Sequence, residues 1–349
     1  MRPLAWLLPT AFLALFYFYP LAAIFSESFA RAEAGPLAPF ITLLTSPALL
    51  RVIGFTFYQA ALSTLATLLL GLPGAYLLAR YRFPGQGLLR ALTAVPFVLP
   101  TLVVAAGFNA LLGPRGWANL GLAALGLQPV QFLNTLGAII LAHVFYNTTI
   151  VVRLVGDFWS RLDPKLEAAA RALGGSQWQT LREVTLPLLA PAIAAAALLV
   201  FIFDFTSFGV ILVLGGPRFS TLEVEIYRQT ISLFNLPLAA ALSITQLLIT
   251  LTLTLLYSRL SSRLTVPLSL KPQQHTRRPI QSLRARASAG LLIAALVAIL
   301  VAPLAALALR SVARLDAERG QQGQVQKGFT LAYYQELSVN RRNSLFYES

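Results

Sequence analysis

Cysteine is missing from all 349 residues, which excludes disulfides, thiolate nucleophiles and cysteine metal sites. Charge is scarce as well: Asp, Glu, Lys and Arg make up 11% of the chain, against 57% hydrophobic residues. A soluble domain carries roughly 25% charged residues, so this composition belongs to a chain whose solvent is the bilayer. Acidic charge is the shortest of all, 13 Asp and Glu against 27 Lys and Arg, for a net charge of +14. No aromatic and basic residues interleave in the manner of an RNA-binding surface. The basic excess therefore points to cytoplasmic loops and not to nucleic acid. Histidine occurs only as His143 and His275, far apart and without ligand spacing, so no metal is expected.

Phosphate-binding chemistry is absent in the same way. Gly113-Pro114-Arg115-Gly116 and Leu173-Gly174-Gly175-Ser176 have glycines but lack the lysine of a Gly-x-x-x-x-Gly-Lys-Ser/Thr loop. The chain is not expected to hydrolyse ATP or to bind a cofactor; any ATP is used by a partner. His143, Asp204 and Ser207 could be grouped as a hydrolytic set, but no Gly-x-Ser-x-Gly elbow or orienting pair accompanies them. No catalytic residue is assigned.

What the sequence does have is a series of apolar runs, almost free of charge, each able to cross a hydrocarbon core of roughly 30 Å. The first, Leu4 to Phe25, exceeds the roughly 7–15 residues of a signal-peptide core and reads as a retained span. A second lies between Arg51 and Arg80, with Gly71-Leu72-Pro73-Gly74 expected to interrupt it near its end. A third lies between Arg90 and Arg115, with kinks expected at Pro96 and Pro100. Others run from Leu136 to Val152, Pro187 to Leu214, Pro237 to Tyr257 and Ala287 to Leu309. The expected fold is an all-α polytopic membrane protein with about seven transmembrane helices.

Between Arg259 and Arg286 stand seven basic residues and no acid (Arg259, Arg263, Lys271, Arg277, Arg278, Arg284, Arg286). Placing that linker inside puts the loop with Arg80, Arg82 and Arg90 inside too, together with the stretch 161–187. The loops 26–50, 113–134 and 215–236 then lie outside. This divides the chain into a first helix and external loop (1–52), a transmembrane domain (53–262), a basic cytoplasmic linker (263–286) and a final unit (287–349).

That final unit repeats the start. Leu291-Leu292-Ile293 through Ala302-Pro303-Leu304-Ala305-Ala306 echoes Leu7-Leu8-Pro9 through Tyr19-Pro20-Leu21-Ala22-Ala23. Phe346-Tyr347-Glu348-Ser349 likewise lines up with Phe57-Tyr58-Gln59-Ala60. A second, parallel copy begins here and is incomplete, with an eighth helix only started. The sequence is expected to belong to a longer product.

One polar stretch interrupts the oily chain. Asp163-Pro164 opens a helix, Glu167 sits in its first turn, and Ala168, Ala169, Ala170 and Ala172 favour it while keeping its surface low. Gly174-Gly175 ends it in a left-handed turn, Ser176 caps a second short helix, and Leu186-Pro187 starts the next apolar run. The product is a helical elbow on a membrane surface.

Glu-Ala-Ala, a glycine five residues later, then an aliphatic residue and Leu-Pro at fixed distance resembles the EAA loop of bacterial ABC importer permeases. Glu167, Ala168, Ala169, Gly174, Leu186 and Pro187 match it, and Val184 stands where isoleucine is commoner. The resemblance implies that these residues couple the spans to ATP-binding subunits.

The whole chain is similar to permeases of the fused-repeat thiamine and ferric-iron importer group. The stretches carrying this are Phe55 to Ala60, Gly113 to Trp117, Leu141 to Asn147 and Thr221 to Tyr227. That similarity implies a type I ABC importer fold in a bacterial inner membrane, contacts with lipid, two ATP-binding subunits and an external solute-binding protein. Thiamine and ferric iron are both open as substrate. Asn109, His143, Asn147 and Asp204 lie within spans, where polar groups either face a path or join helices. A secondary transporter with parallel repeats is the competing class.

Overall fold

An apolar run in a bilayer has one low-energy answer, a helix that keeps its backbone hydrogen bonds to itself. The computed structural model describes residues 2–33, 35–262, 277–314 and 328–336. In chain order its main helices are α1 (Leu7–Ala30), α2 (Pro47–Arg80), α3 (Gln86–Val98), α4 (Thr101–Leu112) and α5 (Leu136–Arg161). Then come the short α6 (Pro164–Ala172), α7 (Gln177–Phe205), the short α8 (Leu222–Tyr227), α9 (Leu236–Ser262) and α10 (Leu283–Ser311). Among the described residues, six of these (α1, α2, α5, α7, α9, α10) are long and apolar enough to cross a membrane, and α3 with the stretch from Thr101 is long and apolar enough only when the bent pair is taken together. Arg263, Lys271 and His275 of the linker, and the repeat match at 346–349, lie outside the described residues.

The core forms where α2, α5 and α7 pack together. Ala75, Ala79, Val151, Val155, Leu189, Ala196 and Val200 are buried there. Small residues let α2 and α5 cross closely, and a β-carbon built on Gly71 would sit 2.7 Å from the Val151 β-carbon. A second cluster joins α4 and α5 through Val104, Phe108, Ile139 and Phe145. On α10, Leu296 packs with Leu78, Leu89 and Val152, which brings the last helix onto the same bundle. By contrast, α1 buries nothing along its most apolar window and presents its side chains outward.

Several boundaries differ from the sequence expectation, each for a physical reason. Pro73 does not interrupt the second span: α2 runs unbroken for 34 residues, and Gly71 and Gly74 serve close packing against Val151 and Leu296. The third span is broken and not merely kinked. Leu99 and Pro100 are extended, as a residue before proline prefers, and the chain turns by 111° between α3 and the helical stretch Thr101–Ala124. Pro96 stays within α3. The fourth span continues nine residues past Val152, to Arg161. The fifth ends at Phe205, not Leu214; the chain leaves the helix at Thr206 and makes a separate wide turn at Ile211–Gly215. The elbow's second helix is continuous with that span through a π-helical turn at Leu181–Thr185.

The loops gather at two ends of the bundle. Tyr81 and Arg82 pair in parallel with Arg278 and Pro279, so the 80–90 loop and the start of α10 share one face. Arg90 lies 3.8 Å from Asp157 on that same face. At the other end, Arg310 Nη1 donates to the Arg115 carbonyl at 2.7 Å, and the Asn134 amide donates to the Leu214 carbonyl.

Candidate functional site

The elbow is built by local chemistry. The Asp163 side chain accepts from the Lys165 amide at 3.0 Å, and Pro164 fills the first helical position, where no N–H is needed. At the far end, the Gly175 amide reaches the Ala170 carbonyl at 3.1 Å and the Gly174 amide reaches that of Arg171 at 3.0 Å. That pair of bonds is a Schellman closure, and it requires the left-handed backbone seen at Gly174, φ +89°. Ser176 then caps α7 reciprocally: its hydroxyl accepts from the Gln179 amide while the Gln179 side chain accepts from the Ser176 amide.

The result is a firm loop with an apolar tip. Leu173 is 90% exposed and Trp178 67%, next to exposed Ala168, Ala169 and Ala172. Val184 is half-buried, whereas Leu186 and Pro187 face outward at the start of the membrane segment. Glu167 behaves differently from a simple helix-start acid. Its Oε1 accepts from Arg80 Nη2 at 2.6 Å and from the Thr185 hydroxyl at 3.3 Å. Between α2, α5, α6 and α7 opens a cavity of about 640 Å³, lined by Tyr76, Trp159, Glu167, Arg171 and Trp178.

Deeper in the bundle, three of the four polar span residues come together. Asn147 Nδ2 donates to Asp204 Oδ1 at 2.7 Å, and His143 Nδ1 lies 3.4 Å from the same oxygen. The imidazole also meets Ser63 Oγ through Nδ1 and Ser207 Oγ through Nε2, both at 2.9 Å. Gln59 Nε2 donates to the Asp204 carbonyl at 2.8 Å, which satisfies backbone near the broken end of α7. Asp204 is fully buried, and His143 and Asn147 nearly so. Asn109 is not part of this cluster; it is exposed on α4.

No orienting pair is legible around His143, Asp204 and Ser207 in the sequence, yet the fold places the imidazole against both other side chains. Asp204 Oδ1 accepts from Asn147 while Oδ2 is buried without a hydrogen-bond partner, and Ser63 is closer to Nδ1 than Asp204 is, so the arrangement is a hydrogen-bond network across α2, α5 and the α7 end. The α2 contributors Gln59 and Ser63 were missed. Their signal was Thr56, Gln59, Ser63 and Thr67, polar residues three and four apart that form one buried stripe.

Another polar group stands on α8. Burial disfavours the charge on both Glu223 and Glu225. At Glu223 it outweighs the Gln246 amide and raises the pKa. At Glu225 burial is outweighed by the bonds from Arg228, Gln229 and Ser220 together with the Arg228 charge, and the pKa is lowered. Among the described residues, no three His, Cys, Asp or Glu side chains converge as metal ligands.

Residues 69–266 match the family described as binding-protein-dependent transport system inner membrane component. The thiamine transport system permease protein ThiP of Salmonella typhimurium is 32% identical over 88% of this chain and 57% of its own length. That of Escherichia coli is 33% identical over 75% of this chain and 49% of its own. The putative 2-aminoethylphosphonate transport system permease protein PhnU of Salmonella typhimurium is 29% identical, over 75% of this chain and 94% of its own. The chain spans about half the length of the thiamine permeases it matches.

A bacterial alginate ABC transporter, solved in complex with an alginate pentasaccharide-bound periplasmic protein, shares the fold. Its matching chain has a TM-score of 0.62 at 22% identity, over 76% of this chain and 95% of its own. The apolar helices, their packing and the match over more than half the sequence lead to one assignment: the chain belongs to the binding-protein-dependent transport system inner membrane component family.

Proposed function

We propose that this chain is a permease part of an ABC importer that carries thiamine inward across a bacterial inner membrane. In this reading an external solute-binding protein delivers the substrate and two ATP-binding subunits on the cytoplasmic face supply the energy. The elbow is the EAA-type coupling loop, with Glu167, Ala168, Ala169, Gly174, Val184, Leu186 and Pro187 in the roles the motif implies. The observation that carries this is the capped elbow with its apolar tip, where Leu173 and Trp178 stand in solvent. Exposed side chains of that size on a rigid turn fit a groove on a partner.

Thiamine is favoured over ferric iron by the names of the relatives at 32–33% identity. Of the polar span residues, we infer that His143, Asn147 and Asp204 hold helices together, since Asn147 and His143 both reach Asp204 Oδ1 and the imidazole also bridges Ser63 and Ser207. Asn109, exposed on α4, is the candidate for the translocation path. A secondary transporter is the reading this displaces, because it has no use for a docking elbow.

Reconstitution in vesicles with a candidate ATPase and thiamine-binding protein tests the proposal. ATP-dependent uptake of labelled thiamine, resistant to excess ferric ion and 2-aminoethylphosphonate, is expected. Uptake that needs an ion gradient and no ATPase would overturn it.

A further inference from the structure

The elbow helix α6 has no buried residue. An exposed helix of nine residues is too short to be stable by itself, so something other than apolar packing must hold it against the bundle. Its chain connections are one hold, and the Glu167 carboxylate is the other. Arg80, the last residue of α2, is only 4% exposed. Its Nη2 meets Glu167 Oε1 at 2.6 Å and its Nη1 donates to the Leu162 carbonyl at 3.2 Å. Thr185, also buried, donates to the same carboxylate oxygen. One oxygen therefore ties together the end of α2, the elbow helix and the π-helical turn within α7.

The guanidinium is well placed for this. A cation at the end of a helix meets the negative end of its dipole, which favours Arg80 where it stands. A planar fork can serve Glu167 and the Leu162 carbonyl at once, which a lysine ammonium does with less geometric control.

We propose that Arg80 is a positioning residue for energy coupling: through Glu167 and Thr185 it makes the elbow a lever rigidly joined to both α2 and α7. This rests on the permease reading above. A push on the tip at Leu173 then reaches two membrane helices directly, and not only through the peptide links at 161–164 and 173–177. Without the tether, α6 can tilt under load while the spans stay still.

The test has two arms on the full chain. In the first, the protein alone is followed by amide hydrogen exchange over residues 165–173. Arg80→Gln and Glu167→Gln should each speed exchange by roughly tenfold or more, the scale of losing a charge-assisted hydrogen bond. Arg80→Lys should stay closer to wild type, and Thr185→Val should show a smaller increase. In the second arm, the reconstituted importer is assayed for thiamine moved per ATP hydrolysed. Arg80→Gln should lower that ratio by about tenfold while ATPase association persists, and the effects of Arg80→Gln and Glu167→Gln should not add. Exchange equal to wild type in both Gln variants, or a transport-to-ATP ratio unchanged in them, would overturn the proposal. Failure of wild-type thiamine uptake with accelerated exchange in the variants would sink the substrate assignment and leave the tether standing.

Discussion

Replacing Gly174 puts a single backbone angle under test. Its φ of +89° closes the elbow, and a β-carbon built there meets nothing within 4 Å. The cost of adding one is therefore backbone strain alone, about 1 kcal/mol for alanine and more for a β-branched side chain. Asparagine tolerates the left-handed region better than other residues with a side chain, so Gly174→Asn should cost least. If the elbow docks in this closed form, a penalty of about 1 kcal/mol weakens ATPase binding by about fivefold. Binding of the purified ATPase to the permease in nanodiscs should then weaken in the order Gly, Asn, Ala, Val, with Gly174→Asp adding an exposed charge beside Leu173. Membrane insertion should be unchanged throughout, because no span contains the residue. Equal affinity for Gly174→Val and wild type would refute the reasoning, since it would separate docking from the turn.

Other consequences follow from the bundle. Gly71→Leu should lower thermal stability by about 1–3 kcal/mol through overpacking against Val151, and Val151→Ala in the same chain should restore part of it; an unchanged melting temperature would mean the helices separate freely. Asn147→Leu removes the donor 2.7 Å from Asp204 and should cost about 1–2 kcal/mol in detergent unfolding, with Asp204→Leu added recovering some of the loss. Since the chain has no cysteine, single cysteines at Ser176 and Gln128 can be labelled cleanly. The first should react only from the cytoplasm and the second only from outside, and reversed labelling would invert the orientation.

The sequence by itself determined what depends on near neighbours and on the bilayer. Long apolar runs must be helices there, so the spans could be placed from composition. The elbow was equally legible, because Asp163, Pro164, Gly174 and Ser176 act within a few residues of themselves. Proline marks the limit of such reading. Pro73 lies inside a continuous α2, whereas Pro100 follows an extended Leu99 at a break, and the residue type is the same. The difference lies in the surroundings: Gly71 and Gly74 beside Pro73 are pressed against α5 and α10, while α4 after Pro100 turns away to pack on Pro303.

Tertiary structure alone decided the partners of the polar groups. Glu167 reads locally as a helix-start acid, yet its carboxylate is held by Arg80, 87 residues away. His143, Asn147 and Asp204 are legible as costly polar residues in spans, but only the crossing of α2, α5 and α7 brings Gln59 and Ser63 to them. A buried charge or amide must be satisfied somewhere, and sequence states that need without naming where in space the partner stands.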